Sequence, residues 1–189
     1  ILNLKLPAGK LKLYATTSRD CGNYSKLTLG INPGASYGNA KQWYPERFAE
    51  VASVLSSSYE IIIFGGPGEK KISKDIEKLL AKKGVTNFKN LTGVTSVQDL
   101  IDRISCLDLF ITGDSGPMHI AASFQIPTVA IFGPTNDHET SQWGLEKSII
   151  VKKNLDCQPC MKRTCPLKHH NCMNLIKVDD VLRAVESFY

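Results

Sequence analysis

The sequence predicts an α/β fold, a Rossmann-like parallel sheet with helices on both faces. Short apolar runs alternate with helical segments of about ten residues, which is typical of βαβ units. The run Glu60–Phe64 (EIIIF) is almost entirely apolar, as expected of a strand that is covered on both faces. Three loops rich in glycine and small residues leave strand ends and enter helices, and parallel sheets bind ligands at that edge.

Six strands are predicted, each a short apolar run bounded by polar residues, glycine or proline. They are Leu27–Asn32, Glu60–Phe64, Phe88–Leu91, Leu107–Thr112, Pro127–Phe132 and Ser148–Val151. Residues 1–26 are irregular and are expected to be a linker from a preceding domain, which leaves 27–189 as the folded domain. The chain begins with Ile and not Met, which indicates a piece of a longer protein.

Five helices are predicted between or after these strands. Pro45 opens the first, because proline suits a first helical turn, and Ser96 caps the third. Apolar residues at helical spacing predict the others. After the helix that Pro45 opens come 69–83, Ser96–Ser105, Pro117–Phe124 and Val178–Tyr189.

The composition excludes several classes of protein. With 189 residues, of which 42% are hydrophobic and 22% charged, the chain is neither disordered nor a coiled coil. No apolar run approaches the roughly 20 residues needed to cross a bilayer. The net charge of +5 is too low for a nucleic-acid binder, and six lysines between Lys70 and Lys83 are expected on a solvated helix face. This charge suits a small anionic ligand or contact with an anionic membrane surface.

The loop 33–42 has small residues ahead of a helix and carries Lys41. With its flanking residues it reads NPGASYGNAKQW. Backbone amides and a lysine at such a place can bind phosphate, although the loop lacks the Gly-Lys-Ser/Thr of a Walker A motif. The loop FGGPGEKK also lacks dinucleotide-binding spacing. Its Glu69 either interacts with the helix dipole or accepts hydrogen bonds from a ribose.

The loop GDSG places Asp114 and Ser115 directly after a buried strand. Three interpretations stay open at this stage. Both side chains could simply cap the next helix. Ser115 could be the nucleophile of a serine hydrolase, with His119 as its base, although no acid obviously orients that histidine. Alternatively, Asp114 could bind a ligand at the sheet edge.

Four of the six cysteines lie in the Cys-rich segment 157–172, at Cys157, Cys160, Cys165 and Cys172. Such spacing can hold a structural zinc ion. A non-enzymatic module held together by zinc is therefore a further alternative for the whole chain. Free thiols that pack a loop are another interpretation, and disulfides are disfavoured because no secretory signal is present. Cys21 and Cys106 are isolated in sequence and are expected to be small buried apolar residues.

Taken together, the loops resemble a known family. The motifs are NPGASYGNAKQWYPERFAEVA, FGGPGE, GDSGPMHIAA and FGPT, and they extend from about Leu29 to Gly133. This stretch is similar to the C-terminal, donor-binding half of family 9 glycosyltransferases, the ADP-heptose:lipopolysaccharide heptosyltransferases, and most similar to their type II branch. The resemblance implies one half of a GT-B fold, in which two Rossmann-like domains face a cleft.

The resemblance also implies roles for individual residues. Lys41 and Asp114 would be the catalytic residues of this half, since Lys41 would contact the diphosphate and Asp114 the heptose hydroxyls. Ser36 would lie beside Lys41, Glu69 would hold the ribose, and Thr95 would line the base pocket. The donor-binding set is completed by the amides of Ser115 and Gly116, which would bind phosphate, and by His119, which would support their turn.

The implied reaction is transfer of heptose from ADP-heptose to the lipopolysaccharide inner core with inversion. In the family the catalytic base is an Asp of the first domain, and no residue of this chain matches it, so the isolated fragment is expected to be inactive. No cofactor and no metal are expected, since the chain has no Asp-x-Asp motif. The expected location is the cytoplasm, with peripheral contact at the inner face of the inner membrane.

Overall fold

The computed structural model of the chain describes residues 9–16, 21–22, 24–35 and 37–189. A six-stranded, all-parallel sheet forms its centre, in the order β3-β2-β1-β4-β5-β6. The strands are β1 Leu27–Asn32, β2 Tyr59–Ile63, β3 Phe88–Asn90, β4 Leu109–Gly113, β5 Thr128–Ile131 and β6 Ser148–Val151. The predicted fold class is therefore confirmed, with strand ends shifted by at most two residues.

Seven α-helices surround the sheet in the described part of the chain. They are α1 Pro45–Leu55, α2 Lys70–Lys82, α3 Val97–Ile104, α4 Gly116–Ser123, α5 Asp137–Thr140, α6 Asn171–Asn174 and α7 Val178–Glu186. The predicted cap of α3 is confirmed, because the Ser96 hydroxyl accepts a hydrogen bond from the Asp99 amide at 3.1 Å. The four-residue helices α5 and α6 are additional to the prediction.

Hydrophobic cores lie on both faces of the sheet. On one face, Phe48 of α1, Ile76 of α2 and Val181 of α7 pack against the strands. On the other, Ile104 of α3 and Ala121 of α4 pack against Phe64 and Phe110. Burying a large apolar side chain contributes about 1.5–3 kcal/mol, so these two layers supply most of the stabilisation. The lysines of α2 are exposed, which confirms the predicted solvated face.

The strand order creates a crevice at the carboxyl edge of the sheet. The chain moves outward from β1 to β2 and β3, and then returns to β4 on the other side of β1. The loops that follow β1 and β4 therefore diverge at this point, where parallel sheets commonly bind ligands. The three glycine-rich loops follow the neighbouring strands β2, β1 and β4, so topology brings them together.

The described residues before β1 contain no helix or strand and contact the body of the domain. The Trp143 indole donates a hydrogen bond to the Gly9 carbonyl at 3.0 Å, and Thr16 is bonded to the Asp102 carboxylate. The prediction of lone, buried cysteines at positions 21 and 106 is wrong: the two form a disulfide, with Cα atoms 5.3 Å apart, and neither is buried. None of the described helices has the length and apolar character that crossing a membrane requires.

Candidate ligand-binding site at the carboxyl edge of the sheet

The buried side chain of Asn32, the last residue of β1, ties the first loop to the third. Its amide nitrogen donates to the Ser115 hydroxyl at 2.9 Å and to the Thr112 hydroxyl at 3.3 Å. A buried amide is costly unless its hydrogen bonds are satisfied. The position of Ser115 at the start of α4 is therefore fixed by β1, the neighbouring strand.

Lys41 and Asp114 form an ion pair beside this junction. The lysine Nζ lies 2.6 Å from Asp114 Oδ2, and the two side chains are only 10% and 7% exposed. Lys41 comes from a short 3-10 helix, Asn39–Lys41, in the loop after β1, and Asp114 directly follows β4. The crevice between β1 and β4 thus joins the two residues that were predicted to be catalytic.

Two threonines complete the surroundings of the Asp114 carboxylate. The Thr135 hydroxyl donates to Oδ2 at 2.7 Å, and the Thr140 hydroxyl, 3.4 Å from Oδ2, shares its proton with the closer Asn136 carbonyl at 3.1 Å. Lys41 and Thr135 therefore give Oδ2 two close donors, and Thr140 is a weaker third. Within the described residues, Oδ1 accepts no hydrogen bond, so this oxygen keeps an unused acceptor position.

An open cavity of about 300 Å³ lies between the loops after β2 and β4, and we call it the Glu69 cavity. Glu69, Thr95, Ser115 and Gly116 all line it, so four predicted donor-binding residues share one space. The Gly66 amide donates to Glu69 Oε2 at 2.5 Å, which fixes the orientation of the carboxylate. The exposed side chain of Val97 adds an apolar surface to the same cavity.

Backbone contacts connect this cavity with the Lys41–Asp114 pair. A Cβ placed on Gly34 would overlap the Glu69 carboxylate, so the first loop passes directly against that side chain. A Cβ on Gly113, one residue before Asp114, would lie 3.8 Å from the carbonyl oxygens of both Gly34 and Lys41. The loops that carry the ion pair therefore lie against the loops that form the cavity, although neither Lys41 nor Asp114 lines the cavity itself.

For two of the predicted site residues the structure gives no test of the proposed role. Ser36 lies outside the described residues. His119 is half-buried in the first turn of α4 and does not line the Glu69 cavity, and its imidazole makes no hydrogen bond with the described part of the chain. Its predicted support of the turn therefore stays a prediction.

The surroundings of Ser115 favour neither of the other interpretations of its loop. Its hydroxyl accepts from Asn32 and donates to the Gly113 carbonyl at 3.3 Å, and no described histidine hydrogen-bonds to it. A serine nucleophile needs an adjacent base, so the hydrolase alternative has no support. Ser115 occupies the N-cap position of α4 without a capping hydrogen bond from its side chain, and the amides of Ser115 and Gly116 at this helix start are placed to meet an anion, since Pro117 has no N–H.

The four cysteines of the Cys-rich segment, Cys157, Cys160, Cys165 and Cys172, are free thiols that line one small cavity with His169. Among the residues described, no group of three or more His, Cys, Asp or Glu side chains could hold a metal ion. The zinc-stapled alternative is therefore unsupported. Burial, the largest cause, and the three neighbouring cysteines together raise the pKa of the Cys172 thiol from 9.0 to about 11.

The sequence analysis missed three polar residues of the site. Asn32 could have been noticed as the polar end of an apolar strand, where a buried amide needs partners. Thr135 belongs to the FGPT motif but had no role, and Thr140 lies in the unpredicted helix α5. Nothing in the local sequence indicates that either hydroxyl reaches Asp114, because 21 and 26 residues separate them from it.

Comparison with known proteins agrees with this geometry. Residues 6–171 match the model of glycosyltransferase family 9 (heptosyltransferase). Lipooligosaccharide heptosyltransferase 2 of Campylobacter jejuni serotype O:6 is 46% identical over 162 residues, which are 85% of this chain and 51% of that protein. Lipopolysaccharide heptosyltransferase 2 of Salmonella typhimurium is 31% identical over 121 residues, which are 61% of this chain and 35% of that protein.

Solved structures give the same result. A family 9 glycosyl transferase from Veillonella parvula superposes with a TM-score of 0.75 and 27% identity, over 86% of this chain and 45% of that one. The chain spans about half the length of the curated Campylobacter relative. Because the family model covers most of the chain, the protein belongs to glycosyltransferase family 9, the heptosyltransferase family.

Proposed function

We propose that this chain is the donor-binding half of an enzyme that transfers heptose from ADP-heptose to the lipopolysaccharide inner core. The observation that carries the proposal is the buried Lys41–Asp114 pair, which lies at the same sheet edge as the Glu69 cavity. A cation, free helix amides and an oriented carboxylate at one edge of the sheet suit a sugar nucleotide, which combines a diphosphate with two sugars.

In this proposal each part of the ligand has its own partners. The amides of Ser115 and Gly116 bind the diphosphate together with Lys41, with Ser36 beside them. Glu69 accepts hydrogen bonds from the ribose, since Gly66 occupies Oε2 and, within the described chain, Oε1 has no hydrogen-bond partner. Thr95 and the apolar surface of Val97 line the base pocket. Oδ1 of Asp114 accepts a hydrogen bond from a heptose hydroxyl, and His119 supports the turn.

The proposed reaction is a single displacement with inversion at the anomeric carbon. The acceptor oxygen forms its bond to this carbon as the bond to the diphosphate oxygen breaks, and ADP leaves with the electron pair. Negative charge grows on the diphosphate, where Lys41 and the helix amides stabilise it. Such preorganised donors are worth about 3–4 kcal/mol each. The base that takes the acceptor proton belongs to a preceding domain, so this half binds the donor without turning it over.

The partners follow from the same reaction. The donor is ADP-heptose and the acceptor is the lipopolysaccharide core, with no role for nucleic acid. The net charge of +5 favours approach to an anionic surface. We therefore place the enzyme in the cytoplasm, in peripheral contact with the inner face of the inner membrane.

Calorimetric titration of the 189-residue chain with ADP and with ADP-heptose tests the proposal. We expect both to bind, and we expect Lys41→Met to weaken ADP binding about ten- to a hundredfold, because a charge-assisted hydrogen bond contributes about 1.5–3 kcal/mol. Lys152→Met is the matched control, since this lysine also forms an ion pair, with Asp137 at 2.7 Å. We expect the control to bind ADP like the unmodified chain.

Absence of ADP binding by the unmodified chain at high protein concentration would contradict the proposal. Equal weakening by the two lysine variants would also contradict it, because the effect would then come from net charge and not from the position of Lys41. The titrations are made at a temperature where all variants are folded, as checked by circular dichroism.

A further inference from the structure

The Cys-rich segment 157–172 lies directly on the loop that carries Lys41. The Ala40 amide donates to the Arg163 carbonyl at 3.1 Å, and the Tyr37 hydroxyl donates to the Met161 carbonyl at 2.8 Å. A Cβ on Gly38 would overlap the Arg163 carbonyl oxygen, so the two backbones are in contact there. These contacts fix the position of residue 163 relative to Lys41.

The Arg163 side chain brings a second cation to the same aromatic ring as Lys41. Its guanidinium carbon lies 5.2 Å from the centre of the Tyr37 ring, and Lys41 Nζ lies 4.7 Å from it. The two cations are therefore no more than about 10 Å apart. Contact with an aromatic ring holds a cation in place without neutralising its charge.

The charge of Arg163 is not neutralised in the described structure. Lys41 is paired with Asp114, whereas Arg163 has no carboxylate partner among the described residues. The sequence from 157 to 178 contains four lysines and arginines and no aspartate or glutamate. A guanidinium presents paired donors that match two phosphate oxygens, and it is less strongly hydrated than an ammonium.

We propose that Arg163 is a second cationic ligand of the diphosphate that Lys41 binds, delivered to the donor site by the Cys-rich segment. The inference rests on the proposed function, since it assumes that a nucleoside diphosphate occupies the Lys41 side of the crevice. Because Lys41 and Arg163 both contact the Tyr37 ring, the ligand that suits them is an anion that can interact with two cations. An anion at Lys41 lies within reach of the exposed, unpaired guanidinium, and the neutral Lys41–Asp114 pair alone offers little net charge to it.

The test is calorimetric titration of the full 189-residue chain with ADP and with AMP in low salt. We expect Arg163→Gln to weaken ADP binding about five- to thirtyfold and AMP binding much less, because AMP lacks the second phosphate. Lys162→Gln is the matched control, since Lys162 is the neighbouring residue and is also exposed, and this substitution removes the same charge. We expect this control to stay within about twofold of the unmodified chain. Arg163→Lys should recover part of the lost affinity.

The possible outcomes separate the two proposals. If the unmodified chain does not bind ADP, the proposed function fails. If it binds ADP and Lys41→Met weakens binding, but Arg163→Gln behaves like Lys162→Gln, the inference about Arg163 is overturned and the proposed function stands. Equal losses for ADP and AMP in Arg163→Gln would also overturn it. Urea unfolding of each variant excludes a loss of folded protein as the cause.

Discussion

The buried ion pair between Lys41 and Asp114 makes a quantitative prediction about stability. Both side chains are at most 10% exposed, and Nζ lies 2.6 Å from Oδ2. Replacing one partner of a buried pair costs about 3–5 kcal/mol, because the other charge is left without compensation. In Lys41→Met, Thr135 and Thr140 still donate to Oδ2, so we expect the lower end, about 3 kcal/mol. For a domain of this size, that loss lowers the Tm by about 6–12 °C.

A double-mutant cycle separates the pair from the other effects of each substitution. In Lys41→Met with Asp114→Asn no buried charge remains, so we expect the double variant to recover most of the lost stability, with a coupling energy of about 2–3 kcal/mol. Urea unfolding can be followed by tryptophan fluorescence. Trp43 is 2% exposed and Trp143 is 55% exposed, so the spectral change on unfolding reports mainly Trp43.

The reasoning would be refuted if Lys41→Met unfolded within about 0.5 kcal/mol of the unmodified chain, a difference typical of surface substitutions. Additive single losses in the double variant would refute it as well, since they would mean that the two charges do not interact. Lys152→Met again serves as the control. Its pair with Asp137 is more exposed, and we expect a loss of less than about 1 kcal/mol.

Three further predictions concern individual side chains. Thr135→Val should weaken ADP-heptose binding several-fold and leave ADP binding unchanged, because the Thr135 hydroxyl orients Asp114. Thr135→Ser should restore ADP-heptose binding. Equal effects on both ligands in the titration would argue against that role. Gly34→Ala should weaken ADP binding with little change in Tm, because the new Cβ displaces the flexible end of Glu69, and unchanged affinity would mean that Glu69 does not contact the ligand. Cys172 should react more slowly with iodoacetamide at pH 8 than the other free thiols, since its pKa is about 11. Because folding raises the pKa of Cys172, this thiol contributes to the free energy of unfolding below about pH 9, and the contribution is lost as the pH rises toward 11. A free energy of unfolding that stays constant between pH 9 and 11 would contradict the raised pKa.

The layered fold was predictable because its signals are local. Apolar runs and helical spacing report burial within a single element, and β1 and β6 were predicted with the bounds that the structure gives. The cap at Ser96 was predictable for the same reason, since it involves residues only three positions apart. The helices α5 and α6 were not predicted, because four residues are too few to produce a recognisable period.

Contacts between distant parts of the chain could not be predicted from local sequence patterns. The disulfide joins Cys21 to Cys106 across 85 residues, and each cysteine looks isolated in its own surroundings. The carboxylate of Asp114 collects donors from β-strand loops and from α5, and only the folded chain brings them together. The family motifs located the loops of the site, whereas the polar residues that orient those loops required the structure.

The charges at the crevice argue that the donor site needs more than Lys41. The Lys41–Asp114 pair is nearly neutral, whereas a nucleoside diphosphate carries several negative charges. When the diphosphate draws Lys41 toward it, the hydroxyls of Thr135 and Thr140 still satisfy Oδ2 of Asp114, so the carboxylate does not lose all its donors. The α4 amides and Arg163 then stabilise the remaining negative charge of the diphosphate. Arg163 already lies against the Tyr37 ring. Lys41→Met should therefore weaken ADP binding more in the Arg163→Gln variant than in the unmodified chain. An effect of the same size in both proteins would argue that Lys41 and Arg163 do not share the charge of the diphosphate.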